Sequence, residues 1–177
     1  IRANCRLSLQ PADLDFLVAS LPPLAEAPWS DGPMLDELLD QPEVFKSLLE
    51  RHDCLKVSPQ FYFYVLVRHV LVDAGLKDRE LADYVASMLT EFSVQTRLSR
   101  VEGGGEEKFN YVFELLQALQ SASGARVFFI RAHVGNASLF LTGIFPEHIA
   151  YRAQRRGAPD LDYFETVGGS SYLTASE

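Results

Sequence analysis

Two stretches of this chain, 59–74 and 125–145, carry apolar side chains on nearly every face rather than along one stripe. A helix that is apolar all round has to be enclosed by other structure or by lipid, so these segments dictate what the remaining residues must do. The other periodic runs are one-sided. In 78–100, Leu81, Val85, Met88, Leu89 and Phe92 recur at three- and four-residue spacing, with Asp78, Arg79, Glu80, Asp83, Thr90 and Glu91 opposite. In 106–121 the stripe is Phe109, Val112, Phe113, Leu116 and Leu119. Amphipathic helices wrapped round two buried central ones predict an all-α, single-domain bundle of about eight helices over residues 1–177.

Proline supplies the punctuation. Gly32-Pro33, Gln41-Pro42, Ser58-Pro59, Phe145-Pro146 and Ala158-Pro159 each precede an apolar-periodic run. Proline suits the first helical position, where its missing N–H removes no hydrogen bond and its fixed φ already fits. Ser58 adds a hydroxyl that can cap the helix it precedes. Helices are therefore expected at 11–20, with Leu14, Leu17 and Val18 inward, and at 33–40, 42–52, 59–74, 78–100, 106–121, 125–145, 146–156 and 160–174. The proline-rich stretch 21–33 reads as a loop, Gly75 as a helix stop and Gly103-Gly104-Gly105 as a linker. Arg126-Val-Phe-Phe-Ile-Arg131 has strand-like composition, but no partner strand is visible and its apolar character runs on for five turns.

The 125–145 segment is long enough to raise the question of a membrane span. Arg131, His133 and Asn136 fall in its middle third, and a charge at mid-bilayer costs about 3 kcal/mol. No membrane association is expected. A net charge of −8 argues against a general nucleic-acid binder, which needs a cationic footprint to displace counterions from phosphate. Two cysteines, Cys5 and Cys54, imply no disulfide framework and fit free thiols in a reducing, cytoplasmic compartment. No leader peptide opens the chain, and the missing initiator Met suggests a trimmed start.

Motifs with chemistry are absent or incomplete. His52-Asp53 has the dipeptide of the helical metal phosphohydrolases, but no earlier His exists to complete a metal centre. There is no C-x-x-C, H-E-x-x-H or E-x-x-H spacing, so no metal or other cofactor is expected. The triple glycine is followed by Glu106 and Glu107, which would repel a phosphate. Gly168-Gly169-Ser170-Ser171-Tyr172 lacks the second glycine of a nucleophile elbow.

Polar residues inside the two apolar helices are the features that remain. Tyr62, His69 and Asp73 share one face of the first, and Asp73 could fix the His69 tautomer. His133 and Asn136 share a face of the second with Phe129 and Phe140. Were the helices to pack together, these five would line a small-molecule pocket; the alternative is a structural network satisfying buried polar groups. Arg152, Arg155 and Arg156, with His148 a turn earlier, form a basic cluster that complements a helix C-terminus before Gly157. The same cluster could contact an anion or an acidic partner.

The blocks Leu139-Phe-Leu-Thr-Gly-Ile-Phe-Pro-Glu-His-Ile-Ala and Arg155-Arg-Gly-Ala-Pro-Asp-Leu-Asp-Tyr-Phe-Glu resemble a C-terminal segment of uncharacterised bacterial helical proteins. That resemblance implies a bacterial cytoplasmic protein and carries no active-site motif. The expectation is a non-catalytic helical protein acting through its surface, as an oligomer or partner-binding module. The alternative is a small-molecule binder or enzyme using the pocket around His69 and His133.

Overall fold

The computed structural model describes residues 1, 3–21, 34–50, 56–94 and 112–177. The described residues form nine α-helices and no strand, so the all-α expectation holds. They are α1 (Pro11–Ser20), α2 (Met34–Leu39), α3 (Pro42–Glu50), α4 (Pro59–Asp73), α5 (Arg79–Phe92), α6 (Val112–Ser121), α7 (Ala125–Ile144), α8 (Pro146–Arg156) and α9 (Leu161–Ala175). Residues 22–33 of the proline-rich loop, His52-Asp53, Cys54, the triple glycine and Phe109 lie outside the described residues.

Four helices begin on proline, as their sequences dictate: α1, α3, α4 and α8. Ser58 caps α4, its hydroxyl accepting from the Phe61 N–H at 3.1 Å. Asp160 caps α9 in the same way, accepting from the Tyr163 N–H at 3.0 Å. Gly75 and Gly157 end α4 and α8 at φ +82° and +58°, a backbone region open to glycine and strained for other residues.

Packing divides the chain into two compact units, Ile1–Thr90 and Glu91–Glu177. Each contains one of the two all-round apolar helices. In the first unit α4 buries Phe61, Tyr64 and Val65 against Leu17 of α1, Leu39 of α2 and Val44 and Leu48 of α3. The inward face of α1 is not the expected one: Leu14 and Val18 are 44% and 56% exposed, while Asp13 is fully buried beside Phe16 and Leu17. The reason is polar. Asp13 accepts from the Ser58 N–H at 2.6 Å, the Ser58 hydroxyl at 2.7 Å and the Gln10 N–H at 2.7 Å, which turns that face of α1 toward the start of α4. In α5 the expected outer residue Asp83 is buried with Ala82, Ala86, Ser87 and Met88, whereas Leu81 is exposed. Residues near the N-terminus occupy that face: Cys5 Sγ lies 3.3 Å from Ser87 Oγ, and Arg6 binds Asp83.

In the second unit α7 packs most extensively on α9 and also on α6. Among the described residues α7 is long and apolar enough to cross a bilayer by length and composition alone. Its buried residues mix apolar Ile130 and Val134 with the small or polar His133, Gly135, Asn136, Ala137 and Ser138, while Phe128, Leu139 and Ile144 are exposed. Small residues let α9 come close. A Cβ on Gly168 would stand 2.7 Å from Ser138 Cβ, and one on Gly135 would stand 2.7 Å from the Tyr172 ring.

Candidate functional site

The first unit contains a polar network that crosses four segments. Arg6 donates to Asp83 (2.7 Å) and Asp36 (2.8 Å); Asp36 also faces Arg79 at 3.8 Å. Arg79 donates to Asp40 (2.8 Å), and Asp40 takes both Nε (2.7 Å) and Nη2 (2.9 Å) of Arg68. Acid and base alternate along the whole run, so three arginines and three aspartates cancel. Burial works against ionisation of Asp40, yet the hydrogen bonds from Arg68 and Arg79 prevail and hold its carboxyl below the usual range. The pairing also holds Arg68 firmly cationic. Tyr64 lies under Arg6, whose guanidinium carbon is 5.8 Å from the ring centroid. Burial pushes its phenol well above the ordinary value, against the opposing pull of Arg6.

One end of this network opens into a cleft of about 350 Å³ between α2, α3, α4 and the start of α5. Leu39, Phe45, Val65 and Val72 make its apolar wall, with the His69 ring beside them; Arg68, Arg79 and Lys77 make the cationic one, with Asp40 between. The His69 ring lies flat on Phe45, centroids 3.7 Å apart and planes at 15°. Its Nε2 is 3.4 Å from Asp73 Oδ2, so the expected His69–Asp73 pair forms, with an Asp73 that is 70% exposed. Tyr62, the third member of that predicted face, stands edge-on to Phe63 and does not line the cleft.

His133 and Asn136 belong to the second unit, where they are buried side by side on α7. Phe92 meets the His133 ring edge-on at 5.6 Å, and Asn136 Oδ1 accepts from the Tyr172 hydroxyl at 2.7 Å. That bond ties Asn136 of α7 to α9.

A second cleft, of about 190 Å³, lies within this unit between α6, the end of α7, α8 and α9. It is apolar, walled by Val112, Leu141, Ile149 and Phe164, with Phe113 and Phe145 half in solvent at its edges. His148 and Arg152 are the basic side chains in its wall, and no carboxylate among the described residues lines it. Arg152 Nε is buried with no acceptor among the described residues. Arg155 sits over the Tyr151 ring at 5.4 Å, and Arg156 is exposed beyond it. Of the basic cluster anticipated on α8, Arg152 lines this slot, and Arg155 and Arg156 do not.

Arg68, Asp40 and Arg79 escaped the sequence reading. Arg68 was the one visible signal, a guanidinium in the middle of an apolar helix, directly before the His69 that drew attention. Nothing local links it to Asp40, 28 residues earlier. Among the described residues no group of three or more His, Cys, Asp or Glu side chains is placed to hold a metal ion. Comparisons with protein-family models, curated proteins and solved structures find no match to this chain.

Proposed function

We propose that the chain is a non-catalytic binding module that seats an acidic, amphipathic segment of a protein partner in the apolar cleft between α6, α8 and α9. The observation that carries this reading is the joining of an apolar slot to a cationic side chain in its wall, Arg152, whose Nε has no acceptor among the described residues. Burying one Leu or Phe anchor there contributes about 1.5–3 kcal/mol. A carboxylate that reached Arg152 would add a charge-assisted bond worth roughly as much. Exposed Phe113, Phe145 and Tyr151, with Arg155 and Arg156, supply the aromatic and arginine surface from which interface hot spots are drawn. The chain's net charge of −8 disfavours an anionic bilayer or nucleic acid as the occupant, since either extends over the acidic surface, whereas a short segment seated in the cleft stays within the Debye length of about 8 Å over which the local cations act. A buried, unbridged Cys5 is in keeping with the cytoplasmic setting of this reading.

Fluorescence anisotropy with a labelled helical peptide tests it, using Leu and Phe at three- and four-residue spacing and Glu elsewhere. Saturable binding is expected, at least tenfold weaker for the counterpart with Lys in place of Glu. Arg152→Glu combined with Arg155→Glu should lose at least tenfold, about 1.4 kcal/mol, without changing the helical circular dichroism signal. Equal binding of both peptides, or capture by anionic vesicles in place of the acidic peptide, would overturn the proposal.

A further inference from the structure

We propose that the cleft of the first unit is a separate binding site for a small amphiphilic oxyanion, a carboxylate or phosphate head on an apolar body. Its volume of about 350 Å³ lies within the range of ligand pockets, which run from roughly 300 to 1,000 Å³. The chemistry of the walls is divided to match such a molecule. Leu39, Val65 and Val72 offer a hydrocarbon surface, and Arg68, Lys77 and Arg79 face it with donors.

The charge count at the cleft favours an anion. Of the three aspartates in the network, Asp83 is bound to Arg6 and Asp36 mainly so, which leaves three cations and one carboxylate, Asp40, lining the space. Asp40 already accepts from two arginines, and its two oxygens do not reach every donor. Arg68 is 95% buried, yet its Nη1 has no acceptor among the described residues, and Arg79 Nε has none either. A buried N–H without an acceptor is unfavourable, the more so when charged, so an oxyanion drawn to Arg68, Lys77 and Arg79 would bring acceptors that the unliganded cleft lacks. Lys77, exposed at the mouth, adds a mobile ammonium that can follow the head group. His69, braced flat on Phe45, closes one side of the apolar wall.

The site stands on residues of the first unit alone, so its fate is independent of the cleft in the second. Titrating the ¹⁵N-labelled chain with phenyl phosphate, phenylacetate, inorganic phosphate and benzylamine separates the contributions. Saturable amide shifts confined to 39–45 and 65–79 are expected for phenyl phosphate or phenylacetate, and the tighter arm names the head group. Inorganic phosphate should bind at least fivefold more weakly than phenyl phosphate, and benzylamine should leave these amides unmoved. Lys77→Glu changes an exposed side chain, so it should keep the fold and weaken the favoured anion at least fivefold; Arg79→Gln should do the same where it folds. Absence of saturation by either aryl anion at about 10 mM refutes the site, as does an affinity that Lys77→Glu leaves unchanged or benzylamine binding as well as the anions.

Discussion

Gly168 and Gly169 are neighbours in α9, and replacing each in turn with alanine should move stability in opposite directions. Both substitutions remove a glycine from a helix interior and gain about 0.5–1 kcal/mol through the backbone. At Gly169 a new Cβ meets nothing within 4 Å, so that gain should appear in full. At Gly168 it would stand 2.7 Å from Ser138 Cβ, an atom fixed to the α7 backbone that no rotamer change can withdraw. The two helices must then part. Overpacking of this kind costs about 1–3 kcal/mol. Separation also strains the 2.7 Å bond from the Tyr172 hydroxyl to Asn136, which lies at the same crossing. Because the backbone gain is common to both variants, their difference isolates packing, and Gly168→Ala should be less stable than Gly169→Ala by about 1–3 kcal/mol. Urea unfolding followed at 222 nm reads this as a separation of midpoints at constant slope. Coincident midpoints would show that α7 and α9 do not approach as closely as described.

Three further outcomes follow from the first unit. Asp13→Asn replaces an acceptor oxygen with a donor facing an N–H or hydroxyl donor, and should cost about 1–3 kcal/mol in urea unfolding; a loss below about 0.5 kcal/mol would remove Asp13 from the α1–α4 junction. Since the folded Asp40 carboxyl is held below its unfolded value, its stabilisation is complete above the unfolded pKa of about 3.9 and is lost as pH falls toward the folded one. Acid titration of unfolding midpoints should therefore show a steeper decline for the native chain than for Asp40→Asn, and parallel curves would contradict the pairing. With Cys54→Ser leaving one thiol, Cys5 should resist a disulfide reagent in the folded state and react once denaturant opens the unit, since burial both shields it and raises its pKa. Rapid native labelling would place Cys5 outside the core.

Local chemistry decided most of the helix starts, because a proline at the first turn or a capping Ser58 or Asp160 acts on its own neighbours. The two all-round apolar segments likewise announced which helix would organise each unit. Periodicity was a weaker guide to faces: it placed Leu14, Leu81 and Phe113 inward, and all three are exposed. It could not weigh Asp13 or Asp83, whose burial depends on partners 45 and 77 residues away. His69 and the α8 arginines were legible as polar groups on apolar or cationic faces. The clefts beside them were not, since a cavity is the space that several packed helices leave and no single segment encodes it. The arginine–aspartate network is of the same kind: apart from Arg68, each residue looks like solvent-facing charge in its own segment. Composition and spacing determined that this chain is helical and where its helices begin, while only the tertiary arrangement decided which charges were brought together and left with donors unspent.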